Sequence, residues 1–145
     1  MRLVVDANIL VGEVFRSRGR RLLATPTLQI AIAEVAWGEA RHELAKRADA
    51  MEHHGRVPPG EGHAALADAL AFITPRVSVA ARSTYEQAEV VARRRIPRDP
   101  DDWPTVALAL TTDAAIWTND ADFLGCGLAT WTTDTLLAEL AADQP

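Results

Sequence analysis

Cysteine is nearly absent: Cys126 is the single one in 145 residues, so no intrachain disulfide can form and no thiolate zinc site has a second sulfur ligand. No stretch approaches the ~20 apolar residues of a membrane span, and the N-terminus meets Asp6 too soon for a secretory signal core. These absences predict a soluble, cytoplasmic protein with no membrane partner. Lysine is also scarce, Lys46 being the only one. That disfavours phosphoacceptor receivers and phosphatases with an aspartate nucleophile, both of which use a lysine late in the sheet. No Gly-x-Ser-x-Gly turn, Gly-rich phosphate loop or dinucleotide fingerprint occurs, which removes serine hydrolases and the common nucleotide-binding folds. His42, His53, His54 and His63 show no metal-binding spacing.

What is present suits one domain spanning residues 1–145, with 48% hydrophobic residues to fill a single core. Arg2 to Val5 is a short apolar run without alternation, the signature of a strand covered on both faces. Further strands are predicted at Leu28–Ile32, Val77–Ala80, Ala114–Thr118 and Leu128–Thr132. Helical spacing is expected over 8–17, with Gly19 as a stop, then over 33–51, 64–73 and 84–95. A helix starting near Asp102 carries Pro104 in its first turn, a short helix follows at Phe123–Leu124, and a closing helix runs over 133–141 before a frayed end. Alternating strands and helices imply a three-layer α/β/α sandwich around a central parallel sheet, with any site at the carboxyl ends of the strands.

Formal net charge is −5, but its distribution is uneven. Arginines bunch at Arg16, Arg18, Arg20 and Arg21 and again at Arg93, Arg94, Arg95 and Arg98; acids bunch at Asp99, Asp101 and Asp102 and at Asp120 and Asp122. Taken singly, each acid has an ordinary explanation. Asp6 and Asp102 cap helices, Asp120 and Asp122 form turns, and Glu39 and Glu43 lie on a solvated helix face. Taken together they do not, because a parallel sheet brings Asp6 and Asp120 to one edge, where carboxylates repel unless something neutralises them. Oxygen-only ligands select a hard cation such as Mg²⁺ or Mn²⁺, whose waters bridge to phosphate oxygens. A phosphate-bearing substrate follows.

Val4-Val5-Asp6-Ala7-Asn8-Ile9-Leu10, the run from Asp99-Pro100-Asp101-Asp102-Trp103 to Ala109, and Trp117-Thr118-Asn119-Asp120-Ala121-Asp122-Phe123 together make a pattern that resembles the PIN domain, the nuclease fold of VapC-type toxins. The resemblance covers nearly the whole chain. It implies that Asp6, an acid of the second long helix, Asp102 and Asp120 hold the metal, with Asp122 as a further catalytic residue and Asn8, Asp99 and Thr118 accessory. In similar sequences the helix acid falls about two turns in, which favours Glu39 over Glu34 and Glu43; spacing alone does not separate the three.

The implied chemistry is metal-dependent hydrolysis of an RNA phosphodiester, and the implied setting is a toxin with a cognate antitoxin, acting as a homodimer. The alternatives are a solitary RNA-processing nuclease and a catalytically inactive binding domain. Setting aside Asp6, Glu39, Asp99, Asp102, Asp120 and Asp122 takes the charge from −5 to +1, so the remaining surface need not repel RNA. Arg16, Arg18, Arg20, Arg21 and Arg93 to Arg95 are candidates for phosphate contacts, with a solvated face or antitoxin contacts as the other reading. Trp103, Trp117 and Trp131 read as core residues before they read as base-stacking ones.

Overall fold

Leu3, Val4 and Val5 are all buried, although successive side chains point to opposite faces of the strand they form. This makes β1 (Arg2–Val5) an interior strand. In the computed structural model, which describes residues 1–143, it joins β2 (Gln29–Ala33), β3 (Val77–Ala80), β4 (Ala115–Trp117) and β5 (Thr130–Trp131) in one sheet of order β3-β2-β1-β4-β5. Every neighbouring pair is parallel, with Leu3 opposite both Ile30 and Ala115. All carboxyl ends therefore lie along one edge.

The helices are α1 (Ala7–Glu13), α2 (Ser17–Leu23), α3 (Glu34–His53), α4 (Glu61–Ile73), α5 (Arg82–Tyr85), α6 (Glu89–Arg95), α7 (Trp103–Thr112) and α8 (Thr133–Ala142). They complete a three-layer α/β/α sandwich. α3 buries Ala36, Ala40, Leu44 and Ala48, one residue per turn, so a row of mostly small side chains lets α1 and α4 pack close against it. α7 is buried from Trp103 through Ala109 and lies against β1, β2 and β4. A helix apolar on every side belongs in a core. Leu44 and Leu108, both fully buried, each contribute roughly 1.5–3 kcal/mol by leaving water.

α4 is also latched to α3 by polar groups. His63 Nε2 lies 3.0 Å from Asp49 Oδ1 and Nδ1 lies 2.9 Å from Glu52 Oε1, while the His63 backbone N–H donates to Glu52. The two carboxylates hold the imidazole above its ordinary pKa, Glu52 most strongly.

Five expectations about local structure require correction. Gly19 does not stop a helix: α1 ends at Glu13, and Gly19 sits inside the separate helix α2. It is there because α2 crosses the end of α1 so closely that a Cβ on Gly19 would stand 2.3 Å from the Glu13 carbonyl oxygen. The single helix expected over 84–95 is broken into α5, a 3₁₀ turn at Glu86–Ala88, and α6. The break follows Tyr85, which is fully buried with its hydroxyl near the Val35 N–H and its ring 5.7 Å from that of Trp103. α4 begins at Glu61, not Ala64. The helix expected at Phe123–Leu124 is a 3₁₀ turn at Ala121–Phe123, and the last strand shrinks to Thr130–Trp131. The expected fraying falls partly on residues 144 and 145, outside the described residues.

Candidate active site

At the carboxyl end of β1 the backbone N–H of Asp6 still bonds to the Trp117 carbonyl of β4, at 3.0 Å, so the aspartate is positioned by the sheet itself. Its side chain is buried, 4% exposed, and makes no capping bond to α1. Instead Asp6 Oδ2 accepts from the Thr118 hydroxyl at 3.1 Å. The same Thr118 oxygen accepts the Asp120 N–H at 3.0 Å. One threonine thus couples the end of the first strand to the turn after the fourth.

That turn is tied down further. Asp120 Oδ1 accepts the Asp122 N–H at 2.9 Å, closing the 3₁₀ turn, and Asn119 Oδ1 accepts the Thr133 N–H at the start of α8 at 3.0 Å. The turn-forming role of Asp120 is therefore real and occupies one of its oxygens. Asp122 stands half-exposed, 3.9 Å from Arg98.

A second wall comes from α3 and the head of α7. Asp6, Glu39, Asp101, Asp102, Pro104 and Thr105 line one small recess. Asp102 precedes α7 without capping it, unlike Asp99, whose side chain accepts the Asp101 N–H and closes the 3₁₀ turn Pro100–Asp102. Of the three candidate glutamates, Glu39 alone lines this recess. Glu34 accepts the Arg82 N–H at 3.0 Å, and Glu43 faces Lys46 at 3.8 Å. Asn8 is exposed in the first turn of α1, with no side-chain hydrogen bond among the described residues.

The electrostatics report the crowding. Asp102 is pushed up to about 7, first by burial and then by the negative charges of Asp6, Asp99, Asp120 and Glu39. Glu39 is raised by burial and by Asp6, Asp99 and Asp101. Asp6 is raised by burial, with Asp120 adding and the Thr118 hydroxyl opposing. Carboxylates from four separate chain segments disfavour one another's ionisation, so the recess gains from added positive charge. Its donors are oxygen only, the set that hard divalent cations prefer. By donor chemistry the residues fit such an ion, although among the described residues no three acidic, histidine or cysteine side chains are gathered closely enough to hold one together.

Asp101 and Asn119 are residues of this region that sequence reasoning did not single out. Asp101 differs from its neighbour Asp102 only in which way the turn presents it. Asn119 could have been found, because an amide between a strand and an acidic turn is a ready tether for the next element.

The arginines behave otherwise than expected. Arg18 forks onto buried Glu13, at 2.8 and 3.1 Å, and reaches Asp134 on α8. Arg20 pairs with Asp68 and lies over Phe72. Arg93 pairs with Glu89, and Arg95 donates to the Cys126 carbonyl. These groups are committed to the fold; Arg21 and Arg94 carry no ion pair among the described residues. Trp103 and Trp117 are core residues, and the Trp117 indole N–H donates to the Thr133 hydroxyl. Trp131 is half-buried.

A family model described as a PIN domain matches residues 4–141. Among solved structures, PAE2754 from Pyrobaculum aerophilum superposes with a TM-score of 0.67 at 22% identity, covering 99% of this chain and 91% of that one. FitAcB from Neisseria gonorrhoeae gives a TM-score of 0.58 at 14% identity over 90% of this chain and 97% of that one. VapC20 from Mycobacterium tuberculosis, a toxin that cleaves the sarcin-ricin loop, gives 0.57 at 19% identity over 88% and 96%. At these identities the likeness is one of fold. No curated protein sequence matches the chain.

Proposed function

The chain belongs to the PIN-domain family, and from that premise we propose that it is a divalent-metal-dependent endoribonuclease, the toxin of a toxin–antitoxin pair. The observation that carries this reading is the convergence on one recess of acids from the end of β1, from α3 and from the head of α7, where burial first and neighbouring negative charge second push Asp102 up to about 7.

In this reading Asp6, Glu39, Asp102 and Asp120 hold Mg²⁺ or Mn²⁺. When bound, such an ion lowers the pKa of a water and offsets charge on the phosphoryl oxygens. The chain's own residues do the rest. Thr118 fixes Asp6 and Asp120 in mutual register, Asn119 anchors their turn to α8, and burial of Asp6 excludes water from one side. Asp122, half-exposed beside Arg98, or Asp120 would accept the proton of the attacking water. VapC20 acts on the sarcin-ricin loop, and a folded RNA loop is the substrate class we assign here. A cognate antitoxin, a homodimeric state and a cytoplasmic setting complete the proposal; no helix among the described residues is long and apolar enough to cross a membrane.

The test is Mn²⁺-dependent cleavage of structured RNA by the purified chain and by its Asp6→Asn and Asp120→Asn variants. Cleavage should drop by at least about 10²-fold in both variants while thermal unfolding stays cooperative. Undiminished cleavage in either variant overturns the site. A wild type that binds RNA without cutting it favours the inactive binding domain.

A further inference from the structure

Arg93 reaches across from the end of α6 to the turn that delivers Asp99, Asp101 and Asp102. Its Nε donates to Glu89 Oε1 at 2.9 Å. Its Nη1 donates to the Pro100 carbonyl at 3.1 Å and to Asp101 Oδ1 at 3.4 Å. The guanidinium carbon lies 5.4 Å from the Trp103 ring centroid. Arg82, 5.6 Å from the same ring, reaches Glu89 from the other side at 3.7 Å. Glu89 therefore aligns two guanidiniums against one buried indole, and that indole belongs to the residue that directly follows Asp102.

The turn is closed by a backbone bond from the Asp102 N–H to the Asp99 carbonyl at 3.1 Å. Its side-chain bond, from the Asp101 N–H to Asp99, is long at 3.3 Å, and its three aspartates repel one another. A charge placed on Asp101, together with a bond to the backbone carbonyl before it, fixes the direction of the turn and offsets part of the negative charge that Asp101 brings to the recess. We propose that Arg93 is a positioning residue: by clasping Pro100 and Asp101 it makes Asp102 the aspartate of this run that meets a divalent cation. The inference rests on the reading of the recess as a cation site. It is separable from bulk stability, because Arg93 and Asp101 are solvent-accessible, at 40% and 96%, and exposed ion pairs contribute little to folding. Lysine substitutes only in part, since it lacks the planar fork that spans Glu89 and Pro100 together.

The experiment is calorimetric titration of Mn²⁺ alone, without RNA, into the full chain and its Arg93→Leu, Arg93→Lys, Glu89→Gln, Asp101→Asn and Asp102→Asn variants, with thermal unfolding of each. Arg93→Leu should bind Mn²⁺ roughly 10-fold more weakly, in the range for partners that orient a ligand. Arg93→Lys should fall between it and wild type, and Asp101→Asn should stay within about twofold of wild type. Equal Mn²⁺ affinity in wild type and a folded Arg93→Leu overturns the proposal, as does a lowered melting temperature with unchanged affinity, the pattern of a merely structural arginine. If Arg93→Leu does not fold, Arg93→Lys and Glu89→Gln decide by the same criterion. A loss in Asp101→Asn as large as in Asp102→Asn also overturns it, by making Asp101 a ligand. A wild type that takes up no Mn²⁺ defeats the cation reading itself, which separates that failure from the failure of Arg93.

Discussion

Thr118 accepts from one aspartate's backbone and donates to another's side chain, although the two aspartates are more than a hundred positions apart in the chain. Its hydroxyl is buried, so Thr118→Val leaves the Asp6 carboxylate without its donor and the Asp120 N–H without its acceptor. Urea unfolding should show a loss of about 1–3 kcal/mol, and cleavage should fall with it; an unchanged midpoint would mean that the bridge is not formed in solution. Asp102 gives the second prediction at this scale. Its carboxyl titrates near 7 in the folded protein, against 3.8 ordinarily. Across the pH range between those values the folded metal-free protein keeps a proton that the unfolded chain has released, so stability falls as pH rises. In the presence of a chelator, urea midpoints should decline across this window in the wild type and decline less in Asp102→Asn. Asp101 shows what the sequence does not display: two adjacent aspartates are chemically identical on paper, and the turn exposes one beside the guanidinium of Arg93 while it half-buries the other.

Among the elements, those governed by local rules were legible. β1 is a short apolar run because both its faces are covered, and α7 is announced by Pro104 and an unbroken stretch of alanine and leucine. The order of strands and helices implied the parallel sheet, and that sheet brings Asp6 and Asp120 to one edge. The misread elements are those decided by contacts at a distance. Gly19 reads as a helix terminator in isolation, but it serves the crossing of α2 over the end of α1. Gly19→Ala should therefore destabilise by about 1–3 kcal/mol in chemical denaturation despite alanine's better helix propensity. Stabilisation instead would show that the crossing relaxes easily. The broken helix at Tyr85 has the same origin, since its buried ring is held by Trp103 and Val35 and not by its own helix. The arginine clusters look like a phosphate-binding face in sequence, yet Arg18 and Arg20 find carboxylates on α8 and α4.

At the scale of the molecule, the site resembles a store of like charge held together by the surrounding sandwich. Any ion that binds the folded recess and not the unfolded chain must add to stability by mass action. Mn²⁺ at a hundred times its dissociation constant should raise the unfolding free energy by about 2.7 kcal/mol, and the rise should vanish in Asp6→Asn. A Mn²⁺-independent melting curve in the wild type would contradict the cation reading.

The sheet order has a consequence for synthesis. β4 docks beside β1 on the side away from β2, and it is among the last strands to leave the ribosome. Until it does, the first strand has a bare flank and Thr118 has not yet reached Asp6. Folding on the ribosome runs from the N-terminus, so the nascent polypeptide passes most of its translation without a complete set of acids. A message cut short upstream of codon 118 would yield a product that lacks both Asp120 and the threonine that bridges it to Asp6.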